Sequence, residues 1–172
     1  MPQPQQDDRS IDVVVEIPRG SRNKYEYDHH RHVIRLDRRL FSATVYPADY
    51  GFVPDTLAED GDPLDALVLT EDPTFPGCWV TARPVGGLWM ADEKGPDAKV
   101  ICVPGGDPRW EHVQDLRELP SDLLDEIEHF FQMYKDLEPG KTADIRGFEG
   151  REAAWREVGA SRQRAKTASR PS

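Results

Sequence analysis

The sequence predicts an α+β domain, a small barrel of short strands carrying helices on its outside. Three observations predict it. Short apolar or alternating runs fill the first two thirds of the chain, and helical periodicity appears only near its end. Pro and Gly interrupt nearly every junction between these runs, as the corners of small barrels require. A 3.6-residue apolar stripe then follows, suited to covering a sheet face. At 172 residues the chain is one domain, able to bury about 70% of its unfolded surface.

The elements follow in order. Residues 1–10, rich in Pro and Gln, read as a disordered arm, and 11–166 as the single domain. The β-branched run Ile11–Ile17 is the first strand, interrupted by Asp12 and Glu16 and closed by Pro18-Arg19-Gly20. Tyr25-Glu26-Tyr27 alternates, and a polar turn at 28–32 leads into Val33-Ile34-Arg35-Leu36, which together make a β-hairpin. Residues 46–52 are extended and aromatic, bent by Pro47 and Gly51, and short strands follow at 66–70, 78–85, 88–91 and 99–103. One strong helix begins at Ser121, a good N-cap, with Asp122, Asp125 and Glu126 at the positive end of its dipole. Its stripe comprises Leu123, Leu124, Ile127, Phe130, Phe131, Tyr134 and Leu137, and Pro139-Gly140 stops it. A second helix spans 151–166, with Ala154, Trp155, Val158 and Ala165 on its apolar side, and 167–172 is a frayed tail.

Composition narrows the function classes. No apolar run approaches the roughly 20 residues a membrane helix needs. The first residues have neither the basic start nor the apolar core of a signal peptide. Cys78 and Cys102 lie in apolar runs without a Cys or His partner and read as small core residues, so the cytoplasm is the expected compartment. The net charge is −10, and Arg162, Arg164, Lys166 and Arg170 gather in the last twelve residues, so the body is more acidic still. Such a body repels nucleic acid and attracts divalent cations, while the basic end reads as a solvated terminus.

The stretch Asp60-Gly61-Asp62-Pro63-Leu64-Asp65 crowds three carboxylates into one turn. At about 6 Å and an effective dielectric of about 20, each pair costs roughly 3 kcal/mol. Such acids protonate, splay into water or receive cations. A calcium-binding EF-hand loop is rejected, because Leu64 replaces the fifth-position ligand and Asp65 stands at the glycine position. A solvated acidic turn remains the plain alternative. Against it, Pro63 and Leu64 make the turn rigid and tucked, and a second cluster, Asp92-Glu93 with Asp97, lies downstream. Two clusters can share Mg²⁺ ions that clamp attacking and leaving oxygens. Lys24, Arg38, Lys99 and Lys135, near strand or helix ends, add phosphate-sized positive charge. Singly, Lys24, Arg38 and Lys135 read first as solvent charges, Glu16 and Glu26 as readily as surface strand positions, and Tyr46, Tyr50 and Tyr134 first as core or rim aromatics. His29, His30 and His32 crowd one turn and read as a solvated loop before a softer metal site. Gly86-Gly87 and Gly105-Gly106 lack the Gly-Lys-Ser/Thr context of a phosphate loop.

The run from Asp60 to Ala66 resembles the signature of the soluble family I inorganic pyrophosphatases. So do, in order, Val15-Glu16-Ile17-Pro18, Asn23-Lys24-Tyr25-Glu26, Leu36-Asp37-Arg38, Tyr46-Pro47-x-x-Tyr50-Gly51, Arg83-Pro84-Val85-Gly86, Asp92-Glu93, Asp97-x-Lys99 and the segment from His129 to Glu138. The likeness covers about 11–166, weakest at 142–148, where the register of the last strand stays open. Lys94, Trp89 and the glycine-free turn at 29–32 depart from the pattern without removing a catalytic position.

The resemblance implies a five-stranded OB-like barrel with helices outside, and Mg²⁺-dependent hydrolysis of pyrophosphate by a water activated between carboxylate-bound metals. It implies three to four Mg²⁺ per site, with Mn²⁺ or Zn²⁺ as substitutes, and a homohexamer of two stacked trimers. Asp60, Asp65 and Asp97 would hold the first metal, and Asp65 also the second. Asp62 would accept the proton of the water, with Asp97 the rival. Asp92 and Asp97 would take metal arriving with substrate, assisted by Glu16, Glu26 and Glu93. Lys24, Arg38, Tyr50, Lys99, Tyr134 and Lys135 would grip the phosphates, with Tyr46 alongside. For assembly, the helix stripe ending at Leu137 and the histidine turn are the candidate contacts.

Two other classes compete. A noncatalytic OB-type module for single strands needs a basic groove, which this acidic chain lacks. A metal-buffering protein accounts for the acids but leaves Lys24, Arg38, Tyr134 and Lys135 without a role.

Overall fold

The computed structural model describes residues 9–170. Eight strands form two sheets: β1 (Ile11–Ile17), β2 (Asn23–Asp28), β3 (Val33–Arg39), β4 (Asp49–Phe52), β5 (Asp65–Val68), β6 (Trp79–Asp92), β7 (Gly95–Pro104) and β8 (Ala143–Gly150). The main sheet runs β1-β4-β5-β7-β6-β8, and β1 also pairs with β6. That second pairing closes β1, β4, β5, β7 and β6 into the expected five-stranded ring, and β8 extends it from β6. The hairpin β2–β3 is a sheet of its own. Two helices, α1 (Ser121–Met133) and α2 (Arg151–Ala168), pack outside.

The runs expected as separate strands at 78–85 and 88–91 are one continuous strand. β6 pairs with β1 through its first part, from Trp79 to Ala82, and with β8 from Gly86 onward. A bulge between Pro84 and Gly86 turns the strand from one partner to the other. Pro, which lacks an N–H, is tolerated at such an irregularity. Gly86 is demanded by contact, since a Cβ there would stand 2.2 Å from Leu116 Cγ. Gly51 is demanded likewise where β4 crosses β1, 1.9 Å from the Val14 carbonyl oxygen.

The parallel pair β5 and β7 is covered on both faces, which explains the unbroken apolar run 66–69. Ala66, Val68, Val100 and Cys102 pack with Ala154 and Val158 of α2. Leu67, Leu69, Ile101 and Val103 pack with Ile127, Phe130 and Phe131 of α1. Cys78 departs from expectation: it precedes β6 and is only half-buried, whereas Cys102 is core.

The helices differ from expectation at their ends. Ser121 is the first helical residue of α1 rather than its cap, and Pro120 stands at the cap without a side-chain bond. The helix ends at Met133 with Tyr134 as its C-cap, before the expected stop, so Leu137 leaves the stripe and is 64% exposed. α2 continues to Ala168, two residues beyond the expected end. Of the expected arm, only Arg9 and Ser10 lie within the described residues; Arg9 stacks over Trp155 at 5.0 Å. In the 28–33 turn, the Asp28 carboxylate accepts from the N–H groups of His30 and Arg31, and His32 takes the left-handed φ of 56° that a glycine would otherwise supply.

Candidate active site

A cleft of about 480 Å³ opens where the barrel, the hairpin and the chain after α1 meet. Three walls build it.

The barrel wall comes from strand register. Parallel pairing sets Asp65 beside Lys99, and alternation puts Asp97 on the same face of β7. The Lys99 side chain is 1% exposed, and its ammonium donates to Tyr50 Oη (2.8 Å), Asp65 Oδ2 (3.1 Å) and Asp97 Oδ2 (3.0 Å). Burial by itself lowers an amine's pKa, yet the charges of Asp65 and Asp97 hold Lys99 well above the ordinary value. Burial raises Asp97, Lys99 opposes that rise, and Asp65 adds to it. The acidic turn is tied to the core by Leu64, fully buried, whose N–H donates to Thr56 Oγ1 and whose carbonyl accepts from Val53. Asp60 Oδ1 accepts from the Asp62 N–H at 3.0 Å, and burial with the nearby charges of Asp62 and Asp97 raises the Asp60 pKa.

The hairpin wall carries Lys24 and Arg38. Lys24 pairs with Glu26 and, at 3.3 Å, with Asp37; Arg38 pairs with Asp37 and, at 2.7 Å, with Glu138. Behind them Glu16 accepts from the Tyr27 N–H at 2.7 Å, and burial pushes its carboxyl up to about 7.

The third wall joins the β6–β7 tip to the chain after α1. Lys135 lies 3.5 Å from Asp92 and 3.7 Å from Glu93, and Lys141 lies 3.3 Å from Glu93. Burial opposes it, but the Thr142 N–H, Lys135 and Lys141 among others draw the Glu93 pKa down to about 2.

Among the described residues, no three His, Cys, Asp or Glu side chains already surround one point as a finished metal cage. The donor set nevertheless fits a hard divalent ion. Every candidate ligand is a carboxylate facing one cleft. Mg²⁺ keeps several waters and asks few direct protein ligands. Burial is the main cause that raises the pKa values of Asp60, Asp97 and Glu16, and neighbouring carboxylates add to it, an environment in which a bound cation would favour the ionised forms.

Residues 13–166 match the family model described as inorganic pyrophosphatase. The chain belongs to the inorganic pyrophosphatase family. An inorganic pyrophosphatase of Streptomyces coelicolor is 55% identical over 156 residues, 91% of this chain and 96% of that protein. One from Methanosarcina acetivorans is 59% identical over 142 residues, covering 83% and 84%. The crystal structure of the Thermus thermophilus inorganic pyrophosphatase superposes with a TM-score of 0.90 at 50% identity, covering 96% of this chain and 97% of that one.

Glu16, Lys24, Glu26, Arg38, Tyr50, Asp60, Asp62, Asp65, Asp92, Glu93, Asp97, Lys99, Tyr134 and Lys135 are brought together as lining of this one cleft. Tyr46 does not line it. Its side chain is 2% exposed and its ring packs 5.4 Å from Tyr50 and 4.7 Å from Phe130, so it braces the wall from behind. Sequence reasoning missed Asp37, Lys141 and His29. Asp37 stood inside a matched motif, so its signal was present; nothing in spacing marked Lys141. His29 is an exposed turn residue, as expected, and it also lines the cleft with its ring between Tyr27 (4.8 Å) and Phe52 (5.1 Å).

Proposed function

We propose that this cleft hydrolyses inorganic pyrophosphate to two orthophosphates with the help of bound divalent cations. The observation that carries the reading is the convergence of two acidic clusters with Lys24, Arg38, Lys99 and Lys135 on one cleft. Asp60, Asp65 and Asp97 would hold the first Mg²⁺ and Asp65 also the second; Asp92 and Asp97, with Glu16, Glu26 and Glu93, would serve ions arriving with substrate. Three to four ions would fill the site, with Mn²⁺ or Zn²⁺ as substitutes. Bound ions supply Lewis acidity and neutralise the substrate's charge.

The chain's own groups do the rest. A water oxygen bonds to one phosphorus, the bridging P–O bond breaks, and Asp62 takes the proton at its carboxylate. Asp62 suits this better than Asp97, because among the described residues no cation pairs with it, whereas Asp97 is committed to Lys99. Lys24, Arg38, Lys99, Lys135, Tyr50 and Tyr134 hold the phosphate oxygens and stabilise charge on the leaving phosphate.

Phosphate release from pyrophosphate, followed with Mg²⁺ and with chelator, tests the reading. Release only with metal is expected; none in either condition would refute it. Asp62→Asn lowers the rate and shifts the acidic limb of its pH profile, and loss of that limb in Asp97→Asn instead moves the role.

The chain works as a cytoplasmic homohexamer. Two free cysteines agree with a reducing compartment, and no described helix is long and apolar enough to cross a membrane. The α1 stripe is used on its own barrel, so exposed Val33, Leu36, Phe75 and Trp79 are better contacts than that stripe. Light scattering at micromolar concentration measures the copy number, and a monomer sinks the hexamer.

A further inference from the structure

We propose that Glu138 is a positioning residue that holds Arg38 at the cleft and ties the hairpin to the chain after α1. The inference rests on Arg38 being a phosphate ligand. Among the described residues the hairpin strands pair only with each other, so no strand ladder there fixes Arg38 relative to Lys135. Side-chain ties must do so. Glu138 supplies one: its side chain is 5% exposed, and its Oε1 lies 2.7 Å from Arg38 Nη2. It stands outside the helix, in a turn where its N–H donates to the Lys135 carbonyl (2.9 Å) and its carbonyl accepts from the Lys141 N–H (3.3 Å). One turn therefore sets Lys135, Glu138 and Lys141 together, and Glu138 carries that frame across to Arg38.

The pairing is one-sided in a way that serves position. Asp37 takes Nη1 of the same guanidinium and Glu138 takes Nη2. Each terminal nitrogen keeps a second N–H, and these two remain for a phosphate. Glu138 Oε2 and Arg38 Nε are both buried without a partner. A pair formed for stability alone would close that second contact side by side. This one leaves it open and keeps the guanidinium on the cleft.

Steady-state kinetics of the full-length, Mg²⁺-loaded protein test this with Arg38→Met, Glu138→Gln and the double variant. Arg38→Met raises KM for pyrophosphate. Glu138→Gln raises it roughly tenfold, with kcat within about threefold of the parent. The double variant is no worse than Arg38→Met, because Glu138 acts through Arg38. Thermal midpoints and light scattering confirm that each variant is folded and assembled as the parent is. Should Glu138→Gln not fold, Glu138→Asp, with its carboxylate one methylene short, gives the same comparison. A parental KM in the Glu138 variant beside a raised KM in Arg38→Met would overturn the proposal, as would losses that multiply in the double. An unchanged KM in Arg38→Met instead removes Arg38 as a phosphate ligand, and the reading beneath the proposal fails.

Discussion

The barrel wall and the hairpin wall of the cleft hold their cations by different means. Lys99 sits at 1% exposure, with its ammonium within hydrogen-bond distance of Tyr50, Asp65 and Asp97 and rings of Tyr50 and Phe131 about it at 5.1 and 5.0 Å. Lys24 and Arg38 are 19% and 22% exposed and stand on a separate two-stranded sheet, their side chains held by ion pairs. In the barrel wall, site and core share residues, so chemistry and stability fall together. In the hairpin wall they separate, and a change reads mainly in substrate affinity.

The largest test of that contrast is Asp65→Asn. Asp65 is both Lys99's partner and a candidate shared metal ligand, so activity falls by orders of magnitude at saturating Mg²⁺ while circular dichroism keeps the parental spectrum. Near-parental turnover in the folded variant would break the barrel wall's assignment. Next, Lys99→Met and Lys24→Met separate the walls in urea unfolding. Removing Lys99 strips the buried Asp97 and the half-buried Asp65 of their cation and costs about 3–5 kcal/mol. Removing Lys24 costs less than about 1 kcal/mol, and raises KM. Equal losses of stability would erase the distinction.

The smallest effect lies outside both walls. Asp115 accepts from the Arg151 N–H at 3.0 Å and the Arg117 N–H at 3.2 Å, capping α2 from another element. Burial raises its pKa, but these bonds and the Arg117 side chain outweigh it and hold it below the ordinary 3.8. A lowered carboxyl pKa adds stability that is complete above the ordinary value and lost as pH falls through the lowered one. Asp115→Ala therefore costs about 1 kcal/mol at pH 7, and the gap to the parent narrows below pH 4. Activity at saturating substrate stays near the parent's. A constant gap from pH 7 to pH 3 would show that the carboxylate's charge contributes nothing.

Much of the site was legible because its chemistry is local in the chain. Asp60, Asp62 and Asp65 share one turn, and Asp97 and Lys99 share one face of one strand, so type and spacing announced them. Residues whose role depends on a distant partner were not legible. Lys141 lies in an ordinary polar turn, and Glu138 closes a matched segment that gave it no role, until α1 ends at Met133 and the following turn sets them against Glu93 and Arg38. Tyr46 erred the other way: its motif marked it as a contact, and packing against Phe130 put it behind the wall.

From the sequence by itself came the mixed α+β class, the hairpin, the acid clusters and the family likeness, all of which depend on neighbours a few residues apart, whereas the expected order of strands first and helices last fails at β8, which lies between α1 and α2. The tertiary structure alone decided that β1 pairs twice to close the ring, that β6 runs unbroken through its bulge, and where α1 stops. Those depend on long-range register and on contacts such as Gly86 against Leu116. Local propensity carries no information about which distant surface will fill the space beside a residue, and only the packed barrel supplies it.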